Sequence, residues 1–497
     1  MKLFMKSFLM MILFSTFMVA QTGTRMVGFN AKSIGRGGVS IGNFDSGELM
    51  MTNPAGISFL NNSMLDVSFS VMLPRLHFKN SLNDADGDDN IFPLPDVAYV
   101  NTSSESDFSW GVGMFTAGGM GADFKLKHAL FREQNGSFTL QEYHSKLAVM
   151  QGGASFAYKL SDNFSVGASL HLVFSMLEFW MPYSLNPLAM QGTAMPGMTF
   201  GQMFSAPPSM GGFGYDEVTA FAKMSDLTGI GFNGKIGLAY NVDDELSLGV
   251  SYTLPTSLTY TNGKALMDMT YQLNDAFGKA VQGVMMQNPG MTAQQAQAAV
   301  MQMFGQLGID MSKGVVAQYD LDVDLKFPQS IGFGISYKPS SELSLSADVE
   351  WLNWADAFDK MTLKLSGGAN TNINKMMGNS GSFTIDFPMN WENQILIKVG
   401  GEYNVTNELT LRLGFANGAN PVPAATIFPV FPAVVETHLM GGVSYKISDR
   451  IVLNGAFETA LNNSVKAATQ SFIANEYDNS ASDLATTLFN IGLSVGL

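Results

Sequence analysis

The sequence predicts an all-β transmembrane barrel of fourteen antiparallel strands, with an N-terminal segment long enough to plug the lumen as a hatch and a helical insertion in one extracellular loop. Three observations carry this. The chain is long but poorly charged, its apolar residues alternate in period two, and one short turn recurs five times between long loops.

The 497 residues include 51 Gly, 37 Phe and 34 Met, but only 14% are charged, against about 25% in soluble proteins. No run after the leader reaches the roughly 18 apolar residues of a spanning helix, which excludes a helical bundle but not a barrel. The net charge of -15 and the lack of a basic stripe disfavour a general nucleic-acid role. Cysteine is absent, so neither disulfides nor thiol chemistry enters. Lys2 and Lys6 precede an apolar stretch from Phe8 to Val19, and Ala20 offers a cleavage point. Residues 1–20 are therefore expected to be a secretory signal.

The repeated turn reads "YKLSDNFSV" (Tyr158–Val166), "YNVDDELSL" (Tyr240–Leu248), "YKPSSELSL" (Tyr337–Leu345), "YNVTNELTL" (Tyr403–Leu411) and "YKISDRIVL" (Tyr445–Leu453). Its Ser, Thr, Asp and Asn residues bond their own backbone and close tight turns. The flanks alternate: in "ELSLSADVEWL", Leu343, Leu345, Ala347, Val349 and Trp351 share one face and Ser344, Ser346, Asp348 and Glu350 the other. Such runs suit the roughly 9–11 residues of a tilted membrane strand.

Strand candidates are 64–73, 95–101, 107–117, 147–159, 164–179, 229–240, 246–260, 329–338, 343–354, 392–403, 409–417, 434–446, 451–461 and 487–497. Fourteen is even, so both barrel ends lie on the short-turn, periplasmic side. The tyrosines before the turns are then placed in an interfacial girdle. A soluble sandwich or propeller would not explain short turns at one end and very long loops at the other.

The expected organisation is a signal over 1–20, a hatch over 21–63 and the barrel over 64–497, with extracellular loops at 181–228 and 264–312. The first loop is rich in Met, Pro, Gly and Phe. The second reads as two helices broken at Asn288-Pro289-Gly290, with Thr292 capping the second. Met303, Phe304 and Leu307 share its apolar face, which either packs on another loop or forms an adaptable ligand groove.

Other motifs carry no chemistry. Gly229–Gly234 matches a dinucleotide fingerprint but is followed by a strand pattern rather than a helix. "NDADGDDN" (Asn83–Asn90) is read as a solvated acidic loop. His77, His128, His144, His171 and His438 have no metal-ligand spacing, and no nucleophile elbow appears. No metal, cofactor or enzyme activity is expected.

The segment Gly28–Ser68 is too irregular for a strand until Met64 and is long enough to fold back into the lumen. Its "SIGRGGVSIG" and "NPAGISFL", together with "FPQSIGFGISYKPSSELSLSADVEWLNW", "GGEYNVTNELTLRLGFANGANPVP" and "HLMGGVSYKISDRIVLNGAFE", resemble the FadL-type outer-membrane transporters of long-chain fatty acids and other hydrophobic compounds. The resemblance implies a plugged fourteen-stranded barrel in a Gram-negative outer membrane. It places Gly35, Arg36, Gly37, Asn53, Pro54, Ala55 and Gly56 in the hatch. Ligand would be captured by extracellular loops and leave sideways through the wall.

The expected function is passive transport of hydrophobic molecules, with long-chain fatty acids as the leading class. Uptake of aromatic hydrocarbons and a surface adhesin are the alternatives. A fatty acid needs a partner for its carboxylate, for which Arg75, Lys79, Lys125, Lys127 and Arg132 are candidates. The expected surroundings are outer-membrane lipids and lipopolysaccharide, with the barrel a monomer. The departures from the family pattern are the C-terminal Leu497, where many barrels have an aromatic residue, and the two long loops.

Overall fold

A computed structural model of the chain describes residues 23–133, 135–378 and 380–497. The signal expected over 1–20 lies outside them. Fourteen antiparallel strands close into one barrel. They are β1 (Met64–Lys79), β2 (Phe92–Ser103), β3 (Ser106–Arg132), β4 (Phe138–Ser161), β5 (Phe164–Leu185) and β6 (Val218–Asn241). Four strands in two pieces follow: β7 (Leu246–Thr253 and Thr256–Asp268), β8 (Val316–Phe327 and Ser330–Tyr337), β9 (Leu343–Leu352 and Lys360–Ser366) and β10 (Phe383–Pro388 and Gln394–Asn404). The last are β11 (Leu409–Gly418), β12 (Thr437–Ser448), β13 (Ile451–Lys466) and β14 (Ala481–Gly496). β1 pairs with β14 from Met64↔Gly496 to Lys79↔Ala481, so the sheet has no free end there.

Near the short turns the outward face is apolar. Phe333, Ile335 and Tyr337 are exposed, while Ser330, Gly332, Gly334 and Ser336 point in. Tyr158, Tyr240, Tyr337, Tyr403 and Tyr445 are all exposed on this surface, beside the turns that follow them. The interruptions in β7 to β10 reverse the pattern. Beyond Pro328, Ala317, Tyr319, Leu321 and Val323 are buried, whereas Gln318, Asp320 and Asp322 face out. A one-residue shift of phase moves every side chain to the other face. The breaks thus mark the passage from lipid to water, where the outside becomes polar and the inside apolar.

This inversion explains why the strands run longer than the sequence pattern indicates. The loop expected over 181–228 begins and ends as strand, because β5 continues to Leu185 and β6 starts at Val218. The loop expected over 264–312 likewise starts after Asp268. It then carries helices α1 (Thr270–Gln287) and α2 (Ala293–Gln306), separated at Asn288–Met291. Thr292 and Gln295 form a reciprocal cap at the start of α2. Val434 and Val435, expected in a strand, instead end a buried loop that contains Ile427, Phe428, Val430 and Phe431. This loop packs on Phe179, Phe387 and Tyr477, filling the extracellular half of the barrel with an aromatic core.

Candidate functional site

Residues 23–63 lie within the barrel, because they meet the inward face of strands around its circumference. A small ring of wall glycines lets the backbone this close. A Cβ on Gly249 of β7, Gly414 of β11 or Gly400 of β10 would come within 3.0 Å of the backbone of Ile41, Gly37 or Arg36. Gly237 of β6 and Gly167 of β5 face Asn53 and Ala55 in the same way. Glycine is required at such contacts because any side chain would displace the segment.

Polar hooks fix it in place. Asn53 caps the 3-10 turn Pro54–Phe59, accepting from Ala55 N–H at 3.3 Å. Its Nδ2 donates to the carbonyls of Ile41 and of Leu238 on β6, both at 2.9 Å. Asp348 of β9 accepts from the Ser40 and Ile41 N–H groups at 2.8 and 3.1 Å. Asp66 of β1 accepts from Gly47 N–H at 2.6 Å. Arg36 pairs with Asp45 at 2.5 Å and reaches Glu402 at 3.4 Å, and Glu402 also pairs with Arg412. Within the segment, burial pushes the Glu48 carboxyl up to about 7, against hydrogen bonds from Ser33 Oγ and Asn30 N–H. Gly35 packs against Gly442, and Gly56 against Phe44 and Leu49.

The wall itself is incomplete at one place. β2 pairs with β1 from Phe92 to Val100, but its ladder to β3 runs only from Ser103↔Ser106 up to Val97↔Met114. Above that, residues 92–96 have no ladder partner on β3. Pro93 and Pro95 share the strand parity whose backbone groups face this gap, since Thr116 Oγ1 donates to the Pro95 carbonyl at 3.0 Å. Proline has no N–H to leave unpaired. Thr116 N–H donates instead to the Asp96 carboxyl at 2.6 Å. Higher still the wall is rejoined where Asp88 N–H donates to the Asp123 carbonyl at 2.8 Å. On the inner side the segment borrows the free edge of β3: Met26 N–H donates to Ala117 C=O and Gly119 N–H to Thr24 C=O.

A mainly apolar cavity of about 340 Å³ lies at this window. Inward residues Met72, Leu76, Phe92, Leu94 and Val149 line it, roofed by Pro432 and Ala433 and floored by Thr24–Val27. It is also lined by Lys146, Ala148, Met150 and Met176, which alternate to the outer face of β4 and β5. One cavity touching both faces of a sheet must cross it, so this cavity passes through the window. Its polar lining includes Arg25, which reaches Glu350 at 3.4 Å, and the pair His438–Glu458. A second hollow, of about 860 Å³, lies at the short-turn end and is polar, lined by Lys32, Arg36, Asp45 and Glu402 among others.

The five basic residues singled out from sequence do not line the apolar cavity. Arg75, Lys79, Lys125, Lys127 and Arg132 are all exposed. Lys79 pairs with Asp84, and Arg132 stacks 4.0 Å over Phe138. Alternation puts Lys125 and Lys127 opposite the buried Phe124 and Leu126. Met303, Phe304 and Leu307 also lie away from the cavity. Phe304 is 2% exposed and packs on Phe213 and Phe277, so this helical face is covered by another loop and by α1. Sequence reasoning missed Arg25, Lys146, His438 and Glu458. Its one available signal was "FPLPD", two prolines in alternate strand positions, which marks an edge.

The family described as "Outer membrane protein transport protein (OMPP1/FadL/TodX)" matches residues 15–490. Among solved structures, the Pseudomonas putida toluene transporter TodX is 18% identical, covers 96% of this chain and 100% of its own, and superposes with a TM-score of 0.66. The Ralstonia pickettii toluene transporter TbuX is 19% identical, with coverages of 94% and 98% and a TM-score of 0.62. A Pseudomonas aeruginosa FadL homologue is 17% identical, with coverages of 96% and 100% and a TM-score of 0.66. At these identities the structures establish the shared fold. No curated protein matches the sequence.

Proposed function

The chain belongs to the outer-membrane transport family described as OMPP1/FadL/TodX, and from that premise we propose that it admits small, largely uncharged apolar molecules and releases them sideways through the β2–β3 window. The observation that carries this reading is the cavity that touches both faces of the wall. Family membership assigns transport of hydrophobic compounds across the outer membrane.

The physical argument concerns the exit. An apolar molecule stabilised by about 0.8 kcal/mol per buried CH₂ gains nothing by moving down into the polar hollow. Through the window it passes from Val149 and Leu94 to Met150 and Met176 and so to lipid. Residues 24–26, bonded to the edge of β3, close the inner side. In this reading the N-terminal segment is the hatch, and its withdrawal opens the route. The cavity exceeds the about 150 Å³ engineered site that holds benzene, so monoaromatic compounds fit. The toluene transporters among the structural neighbours agree with that size class.

Long-chain fatty acids are the second reading. Arg25 and Lys146 favour it, since both line the cavity and can meet a carboxylate. The segment, cavity and window all belong to one barrel, which supports a monomer bathed in outer-membrane lipid and lipopolysaccharide. The test is Ala148→Trp, which fills the outer mouth. Cells carrying it should lose toluene uptake although the barrel assembles. Uptake at the parent rate would refute the sideways route.

A further inference from the structure

Deep in the cavity, His438 of β12 and Glu458 of β13 form a buried pair. The imidazole Nδ1 stands 2.7 Å from Glu458 Oε1, and the two residues are 5% and 4% exposed. His438 Nε2 is buried and has no partner among the described residues. Both residues line the apolar cavity, in the company of Val27, Pro432, Ala433 and Leu484. A buried, unpaired ring nitrogen is costly unless something bonds it.

We infer that His438, oriented by Glu458, reads a single hydroxyl on an otherwise apolar ligand, so that phenols and alkanols are preferred over hydrocarbons and carboxylates of the same size. The inference rests on the uptake reading above and names the ligand class of that same cavity. With Nδ1 engaged by Glu458, Nε2 offers either a lone pair or an N–H, according to where the proton sits. A hydroxyl answers both, because it donates and accepts. A hydrocarbon answers neither and leaves Nε2 unpaired. A carboxylate answers only the N–H form, and it brings an acceptor-only group beside the Glu458 carboxyl. The apolar remainder of the ligand meets Val27, Leu484 and Pro432, so affinity comes from burial and selectivity from one hydrogen bond.

Three probes sharing one methylbenzene frame test this: toluene, p-cresol and p-toluate, titrated calorimetrically into the purified full-length protein in detergent. p-Cresol should bind roughly fivefold tighter than toluene, the worth of one buried hydrogen bond. His438→Phe should bring the p-cresol to toluene ratio close to one. Glu458→Gln preserves size and a hydrogen bond, and should improve p-toluate relative to p-cresol; it serves if the His438 variant does not fold. Equal binding of p-cresol and toluene by the parent protein, or an unchanged ratio in His438→Phe, would overturn the hydroxyl assignment. p-Toluate binding tightest would overturn it in favour of a carboxylate reader. Failure of all three to bind would overturn the uptake reading beneath it.

Discussion

Replacing Asn53 by alanine should unlatch the N-terminal segment and leave the barrel folded. The side chain donates two hydrogen bonds, a buried one to Ile41 within the segment and a part-buried one to Leu238 on the wall. The bond to the wall contributes a net of about 0.5–1.5 kcal/mol to docking, while the bond to Ile41 holds the shape of the segment. The population of the undocked state should then rise roughly 2- to 12-fold, at 1.4 kcal/mol per factor of ten. The strand ladders that close the barrel do not involve Asn53 and are untouched. Single-channel recording in planar bilayers reads the effect as more frequent conducting openings. Heat-modifiable migration on gels confirms the barrel. If a folded Asn53→Ala protein opened no more often than its parent, docking would not depend on these bonds, and the motif would be only a turn leading into β1.

Other consequences can be measured with equal directness. Gly249→Val places a side chain where the Ile41 carbonyl lies, so protease added from the periplasmic side should cut within residues 23–63 of the variant and spare the parent. Phe304→Ala removes a ring packed between Phe213 and Phe277 and should cost about 3–5 kcal/mol locally; faster amide exchange confined to α1 and α2, with the strands unchanged, is the expected result. Glu48 carries a carboxyl raised by burial to about 7, above its ordinary 4.5. A raised acid stabilises docking fully below its unfolded value and loses that contribution as pH climbs through the folded one. Openings should therefore increase from pH 5 to pH 8, and Glu48→Gln should flatten the profile.

The membrane half of the fold is legible because lipid imposes a rule that alternation must obey. "ELSLSADVEWL" shows it: Leu345 and Val349 face out, while Ser346, Asp348 and Glu350 face in, as the period demands. The extracellular half is harder to read, since the same period continues there with its faces exchanged. "DLDVDLKF" looks like a charged loop until Pro328 is seen to shift the phase. The polar inward residues carry little local signal either. Asp348 and Asp66 look like ordinary solvent-side positions, and become hooks only when the segment from residues 40–47 reaches them. The basic candidates failed to meet the cavity for a similar reason. Charge and position near the loops single out Arg75, Lys125 and Lys127, but strand parity turns them outward. His438 and Glu458 sit on separate strands, and only the β12–β13 register brings them together.

The two prolines of β2 also bear on how fast the wall can be crossed. A breach opened by breaking ladder bonds would have to break them again at every passage, and flux would carry a steep temperature coefficient. At Pro93 and Pro95 the donors are missing from the covalent structure, so the aperture persists without expenditure of hydrogen bonds. The thermal sensitivity of flux is then inherited from the undocking of residues 24–26. A variant lacking that short stretch should transport with a nearly flat Arrhenius plot.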